Sequence, residues 1–202
     1  MSKKQEIMQF MNKKLAYLTA VSGQGEGKAM LAALRKGVGR VPGELPELFG
    51  IVLEDMPEAF FTKGMEPTKE EWACYTALTL FAMHQQGNDV TLNSMHIAHN
   101  VSIGTAMSRF AGQAEDSNAQ KRMAVKLQAL STAKDMQEFS YHLKSIIQLL
   151  RSGGIALNYS QLAADIYEYQ FPASRKSLYL KWGQDFYRVE KRGKNKEGKD
   201  NE

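Results

Sequence analysis

The fold is decided by the stretch from Thr68 to Met83, which reads TKEEWACYTALTLFAM. Its first four residues match a capping box, in which Thr68 and Glu71 each accept a hydrogen bond from the backbone N–H of the other. Apolar side chains then recur every three or four residues, and Leu80 and Phe81 widen the apolar stripe. A helix that is apolar over so much of its circumference is buried on several sides. We therefore predict that it is the central helix of an N-terminal bundle.

Helical periodicity also dominates the rest of the chain, and no segment alternates as a strand does. Further helices are predicted over residues 4–20, 26–36, 102–110, 118–131, 135–151, 160–169 and 174–187, with short ones around 46–53 and 57–63. The predicted fold is all-α, with about eight to ten helices in two small bundles. The polar run 112–118 divides them into residues 1–112 and 113–188. After Tyr187 the chain is mostly charged, so residues 189–202 are expected to form a disordered basic tail.

Composition excludes several classes of protein. The sequence has no stretch of about 18 uncharged apolar residues, so we expect no membrane-spanning helix. Its basic N-terminus lacks the apolar segment of a secretory signal. The single cysteine, Cys74, lies among apolar neighbours and is interpreted as a buried structural thiol. These features together predict a reducing, cytoplasmic setting.

The net charge of +4 is distributed unevenly along the chain. Residues 1–40 hold eight basic and two acidic side chains, whereas residues 41–71 hold two basic and eight acidic ones. From residue 119 onward the excess is positive again. This alternation predicts a surface with one basic and one acidic region. A basic face is typical of nucleic-acid binding, and an acidic one faces solvent or a basic protein neighbour.

No motif predicts an active site, a metal site or a cofactor. The segment Gly23–Lys28 approaches a phosphate-binding loop, but Ser22 and Ala29 stand where the motif needs Gly and Ser or Thr. His96 and His99 could share a helical face, yet no acidic residue or cysteine pair completes a zinc site. We therefore expect no enzyme activity and no small-molecule substrate.

Basic side chains with helical phasing remain as the candidate site. Arg35, Lys36 and Arg40 cluster where an apolar helix enters a loop with two glycines. The other candidates are Arg109, Lys121, Arg122, Lys126, Lys144, Arg151, Arg175 and Lys181. Lysine and arginine bind the nucleic-acid backbone through charge and counterion release, without reading sequence. Their spread over several helices favours a shallow groove that follows a strand over one recognition helix. A helix stop explains the first cluster equally well.

Taken in order, several segments resemble the CasB family, the small subunit of the type I-E CRISPR surveillance complex Cascade. The segments that carry the resemblance are residues 34–40, Trp72, 76–85, 103–110, 149–151, 158–162 and 182–187. Lys36 stands where arginine is common in the family, which preserves a phosphate contact but weakens a bidentate one. The resemblance extends to about Arg188, and the charged tail has no clear counterpart.

The resemblance implies a two-bundle, all-α protein without enzymatic activity, present in two copies inside the complex. It implies contacts with the crRNA-bound backbone subunits, the large subunit and a second copy of the chain. It also implies a basic surface that holds the displaced non-target DNA strand and stabilises the R-loop in antiviral defence. By motif position, the cations that carry over best are Arg35, Lys36, Arg109 and Arg151. Two alternatives stay open: a purely structural scaffold, and a stand-alone helical regulator that binds duplex DNA.

Overall fold

The computed structural model describes residues 1–113 and 118–194, except for the side chains of residues 189–194. Nine α-helices lie within these ranges: α1 (Lys3–Val21), α2 (Gly25–Lys36), α3 (Phe49–Val52), α4 (Lys69–His84), α5 (Ile103–Gln113), α6 (Ala119–Ser131), α7 (Met136–Ser152), α8 (Tyr159–Tyr169) and α9 (Pro172–Lys194). Two short 3-10 helices, Pro46–Leu48 and Glu58–Phe60, flank α3. No strand forms in this part of the chain, where one isolated bridge joins His96 to Leu157. The predicted all-α class is confirmed.

The last helix differs most from its predicted bounds. It continues to Lys194 rather than ending at Tyr187, so the first six residues of the predicted tail are helical. Lysine, arginine and glutamate lose little rotamer freedom in a helix, and a charged composition therefore does not end one. The rest of the predicted tail, residues 195–202, lies outside the described residues, as do residues 114–117 of the predicted linker.

Helix α4 is buried along most of its length, as its apolar circumference predicts. The Thr68 hydroxyl accepts from the Glu71 N–H at 3.0 Å, and Glu71 Oε2 accepts from the Thr68 N–H at 2.7 Å, which completes the predicted capping box. Every side chain from Ala73 to His84 is buried. This burial arises because α4 packs against α2, α7 and α8, so helices from both halves of the sequence enclose it.

Other contacts also join the two halves of the sequence. Helix α1 packs along α8, and α5 packs along α9. Ser160 Oγ donates to Asn12 Oδ1 at 2.5 Å, which ties α8 to α1 across 148 residues. One continuous cluster of buried apolar side chains runs from Ile7 to Phe186. The division at residue 112 stays a prediction, and helices on its two sides share this core.

Gly104 lets α5 and α9 cross at close range. A methyl group on Gly104 would overlap the backbone carbonyl oxygen of Trp182. Ser102, which precedes α5, donates to Asp185 Oδ2 at 2.7 Å and accepts from the Thr105 N–H at 3.2 Å. The first turn of α5 is therefore held against α9 by a hydrogen-bonded corner and a backbone contact that only glycine permits.

We predict that Gly104→Ala lowers the free energy of unfolding by about 3 kcal/mol, because the Trp182 carbonyl belongs to a packed helix and cannot turn away. Gly183→Ala is the matched control on α9, since nothing lies within 4 Å of its added methyl group. This control should gain up to about 1 kcal/mol from helix propensity. Urea unfolding followed by circular dichroism measures both changes. Equal effects in the two variants would contradict the close crossing.

Candidate nucleic-acid interface

The cluster from Arg35 to Arg40 lies where α2 ends against α4. The Gly37 N–H donates to the Leu34 carbonyl at 3.0 Å, and Gly37 is buried. A methyl group on Gly37 would lie 2.7 Å from the Tyr75 hydroxyl on α4, so the helix end approaches α4 closely. Gly39 has a φ of +82°, which glycine adopts without strain. The chain therefore turns sharply here, and the cations on the two sides of the turn have different neighbours.

Lys36 and Arg40 face acidic side chains. Lys36 Nζ lies 4.0 Å from Glu47 Oε1, and Arg40 Nη1 lies 3.8 Å from Glu44 Oε2. These side chains are about half exposed or more, and such pairs contribute little stability. The nearby carboxylates nevertheless lower the positive potential that a phosphate would meet. Lys36 and Arg40 stay predicted nucleic-acid contacts. Their surroundings in the fold are less basic than the adjacent residues in the sequence indicate, because Glu47 and Glu44 lie beside them.

Arg35 lines a surface groove at the C-terminal end of α4. The groove has a volume of about 380 Å³, and Lys28 and residues 85–90 also line it. Arg151 of α7 reaches the same place, because its Nη1 donates to Gln86 Oε1 at 3.1 Å. Asp89 is the acidic residue among those that line the groove, and its carboxylate accepts from the Thr91 hydroxyl at 2.6 Å. Cations from α2 and α7 therefore converge at one end of α4.

A second group of predicted cations lies along the antiparallel pair α6 and α7. Lys126 Nζ donates to Ser145 Oγ at 2.8 Å, which fixes the register of the two helices. Lys144 and Arg151 lie two turns apart on one face of α7. Arg122, Lys126, Lys144 and Arg151 are therefore brought together on one helical hairpin.

Arg109 and Lys121 are exposed near the same hairpin. Phe110, which follows Arg109, contacts Gly153 directly after α7, where an added methyl group would lie 2.7 Å from the ring. Lys121 precedes Arg122 on α6. We call the groove and hairpin cations the basic track; its members are Lys28, Arg35, Arg109, Lys121, Arg122, Lys126, Lys144 and Arg151.

The family to which this chain belongs follows from comparison with known proteins. The model of the family CRISPR-associated protein Cse2 matches residues 30–187. The chain belongs to the CRISPR-associated Cse2 family. The resemblance to the CasB family is thereby confirmed. A comparison with curated protein sequences finds no match.

Two solved structures have the fold of this Cse2-family chain. CasB from Thermobifida fusca is 24% identical, has a TM-score of 0.73, and is matched over 90% of this chain and 97% of its own. A Cse2-family CRISPR-associated protein from Thermus thermophilus is 19% identical, has a TM-score of 0.61, and is matched over 93% of this chain and 99% of its own. At these identities the two structures are evidence for the fold alone.

Two predicted site residues of this Cse2-family chain make contacts within the fold. Arg175 Nε donates to the Tyr169 carbonyl at 2.8 Å, and its guanidinium lies 4.4 Å from the Tyr169 ring centre, which caps the end of α8. Lys181 Nζ lies 3.3 Å from Oδ1 of Asp165, a carboxyl that is 1% exposed. Burial raises the pKa of Asp165, and the Lys181 charge and a hydrogen bond from Trp182 act in the opposite direction. Both cations thus have structural partners.

Gln86 and Tyr141 were not predicted from the sequence as site residues. Gln86 follows the end of α4. A single glutamine at a helix end belongs to no sequence motif for nucleic-acid binding, so it could not be predicted as a site residue. Tyr141 is 68% exposed and lies one turn before Lys144 on the exposed face of α7. A sequence signal for Tyr141 was available, since it falls outside the apolar spacing that Phe139 and Leu143 set.

The histidines near the groove take part in packing. His84 Nδ1 lies 2.9 Å from the Tyr159 hydroxyl, and His96 Nδ1 accepts from the Tyr159 N–H at 3.1 Å. Burial lowers the pKa of His84 to about 4, and the Arg151 charge acts in the same direction. Across the described residues no group of three or more His, Cys, Asp or Glu side chains could hold a metal ion. In the same residues no helix is long and apolar enough to span a membrane.

We predict that acidification from pH 6.5 to pH 4 destabilises the protein, because the unfolded chain then binds a proton at His84 that the folded chain excludes. His84 alone contributes a slope of about 1.4 kcal/mol per pH unit within this window and none above it. Urea unfolding at a series of pH values measures the slope, which His84→Gln should reduce. His99→Gln, on an exposed loop residue, is the control and should leave the slope unchanged. A slope unaffected by His84→Gln would contradict the assignment.

Proposed function

We propose that this chain is the non-catalytic small subunit of the type I-E RNA-guided surveillance complex Cascade, acting in the cytoplasm. In this role the basic track holds the displaced non-target DNA strand and so stabilises the R-loop. The observation that carries the proposal is the convergence of Lys28 and Arg35, which line one groove, with Arg151 of α7, which donates to Gln86 in the lining of that groove. Family membership supports assembly with the other Cascade subunits and a second copy of the chain.

The geometry of the track suits a nucleic-acid backbone. Lys144 and Arg151 are seven residues apart, which is about 10 Å along a helix. A strand that lies along α7 therefore passes both cations and then reaches Arg35 at the groove. Because phosphates repeat regularly and carry no sequence information, such a row binds any sequence.

Weak contacts suffice for this role, because the exchange of one duplex for another in an R-loop is nearly balanced. A few charge contacts to the displaced strand shift such a balance toward the open form. Their contribution falls as salt concentration rises, since counterion release supplies most of the free energy.

We predict that Arg35→Glu with Arg151→Glu shortens the R-loop lifetime of the assembled, crRNA-loaded complex at least about tenfold at low salt. A plot of log affinity for single-stranded DNA against log salt has a negative slope. We expect this slope to become shallower by about 1.4, because two phosphate contacts are lost at about 0.7 each. Filter binding and R-loop dissociation at several salt concentrations measure both quantities.

The matched control carries Lys63→Glu with Lys134→Glu, which makes the same change of charge on exposed residues outside the track. This control should bind like the unchanged protein. If the Arg35 and Arg151 variant assembles normally, folds by circular dichroism and keeps its R-loop lifetime, the scaffold alternative is favoured. Loss of the variant from the purified complex would also favour the scaffold, since the cations would then contact protein.

We predict that Tyr141→Ala weakens binding of single-stranded DNA about tenfold, because an exposed aromatic ring stacks on unpaired bases. Duplex DNA, whose bases are already stacked, should lose less than about twofold in affinity. Tyr17→Ala, at an exposed tyrosine of α1, is the control and should change neither affinity. An equal loss for single-stranded and duplex DNA would contradict a stacking role and favour the duplex-binding alternative.

A further inference from the structure

The groove at the C-terminal end of α4 combines two kinds of polar side chain. Helix α2 contributes the cations Lys28 and Arg35, and the loop after α4 contributes Gln86, Asn88 and Asp89. The groove volume of about 380 Å³ lies within the range of about 300–1,000 Å³ that small-molecule sites occupy. A groove of this size and composition can hold more than a passing phosphate group.

The two cations of the groove have no partner within the described part of the chain. Lys36 and Arg40 lie near carboxylates, whereas no hydrogen bond or ion pair to a described residue occupies Lys28 or Arg35. Their positions are seven residues apart, which is about 10 Å along α2. Unpaired cations that line one groove favour an anion, and phosphate is the anion that they bind in nucleic acids.

The groove also has an apolar surface. Leu31 of α2 and Val90 of the loop line it, and each is 6% exposed. Contact with a phosphate group gains nothing from apolar side chains. The flat face of a nucleobase does gain, because contact with Leu31 and Val90 removes apolar surface from water. The lining therefore suits a base together with its phosphate.

The loop after α4 presents a hydrogen-bond donor and an acceptor. Gln86 Oε1 accepts from Arg151, which can only donate, so the amide NH₂ group of Gln86 remains free to donate. Asp89 Oδ1 accepts from the Thr91 N–H at 2.8 Å and from its hydroxyl at 2.6 Å, and Oδ2 bonds to no described residue. These hydrogen bonds lower the pKa of Asp89, and the Lys28 charge acts in the same direction. The carboxylate is thus ionised and can only accept.

This pair of groups distinguishes between bases. Cytosine and adenine each carry an amino group beside a ring nitrogen that accepts, which complements the acceptor Asp89 and the donor Gln86. Uracil and thymine carry a carbonyl oxygen in place of that amino group. A carbonyl against the carboxylate leaves two acceptors facing each other without a hydrogen bond. The groove therefore favours cytosine or adenine.

We propose that this groove binds one unstacked nucleotide of a single strand. Lys28 and Arg35 hold its phosphate, the base lies on Leu31 and Val90, and Asp89 sets the preference for cytosine or adenine. The inference rests on the proposed function for the source of the strand. A displaced strand is already unpaired, so turning out one of its bases costs little free energy. The rest of the basic track contacts only the backbone, and the preference is confined to one position.

Titration of the isolated full-length chain with mononucleotides, followed by NMR, tests the site directly. The nucleotides dCMP and dUMP differ in the amino group that Asp89 would accept from. We expect dCMP to bind at least about threefold more tightly than dUMP, through one additional hydrogen bond. It should bind about tenfold more tightly than inorganic phosphate, which lacks a base. The largest shift changes should fall within residues 85–90, which line the groove.

Two variants separate the base contact from the phosphate contact. Asp89→Asn keeps a carbonyl oxygen for Thr91 but adds an amide donor, so the preference for dCMP over dUMP should disappear. Lys28→Gln should weaken dCMP about fivefold and leave the preference unchanged, because it removes only a charge contact to phosphate.

Each variant has a matched control on an exposed residue outside the groove. Asp55→Asn should keep the threefold preference, and asparagine tolerates the φ of +60° at that position. Lys63→Gln should leave the affinity for dCMP unchanged. Circular dichroism checks that all four variants fold.

Three results would overturn the proposal. Equal affinity for dCMP and inorganic phosphate would show that the groove binds phosphate alone. An unchanged preference in Asp89→Asn would exclude the base contact. The third concerns a ten-residue abasic single strand that carries one cytosine or one uracil, for which we expect the same threefold difference. If the mononucleotides differ and these strands do not, the occupant is a free nucleotide.

Failure of this inference and failure of the proposed function give different results. If R-loop lifetime is unchanged by Arg35→Glu with Arg151→Glu while the isolated chain prefers dCMP, the proposed function fails and the nucleotide site stands. If that variant shortens R-loop lifetime while dCMP and dUMP bind equally, the proposed function stands and the nucleotide site fails.

Discussion

The structure depends on the burial of α4, a helix without a continuous polar face. Apolar side chains lie around its whole circumference, and their exposure to water is unfavourable, so other elements must enclose the helix. Helix α2 and helices α7 and α8, which come from opposite ends of the chain, supply that cover. Because they meet along the same helix, Arg35 on α2 and Arg151 on α7 reach one groove at its end. The candidate site is thus a consequence of how the core is closed.

Local features of the fold could be predicted from the sequence because their causes are local. The capping box of Thr68 and Glu71 and the apolar period of α4 each involve residues within a few turns. The roles of Arg175 and Lys181 could not be predicted in this way. The sequence shows that both residues are basic and lie on the last helix. Only the packing of α9 against α8 brings Arg175 to the Tyr169 carbonyl and Lys181 to Asp165. A charge near a helix end has the same sequence pattern whether its partner is a phosphate or a neighbouring helix.

The turn after α2 separates basic side chains that have different neighbours. Arg35 lines the surface groove at the C-terminal end of α4, whereas Lys36 and Arg40 face Glu47 and Glu44. In the sequence these cations form one cluster, because their spacing does not reveal how the following segment places Glu44 and Glu47 beside two of them.

The pairing of α1 with α8 also determines when the chain becomes stable. Asn12 meets Ser160 across 148 residues, so α1, which also packs against α2 and α4, is fully covered only after α8 has left the ribosome. At synthesis rates of about 5–20 residues per second, that delay is roughly seven to thirty seconds. Loop closure over such a separation is also slow compared with the formation of a local helix. The nascent chain, rather than the folded protein, is therefore the form that most needs protection from aggregation.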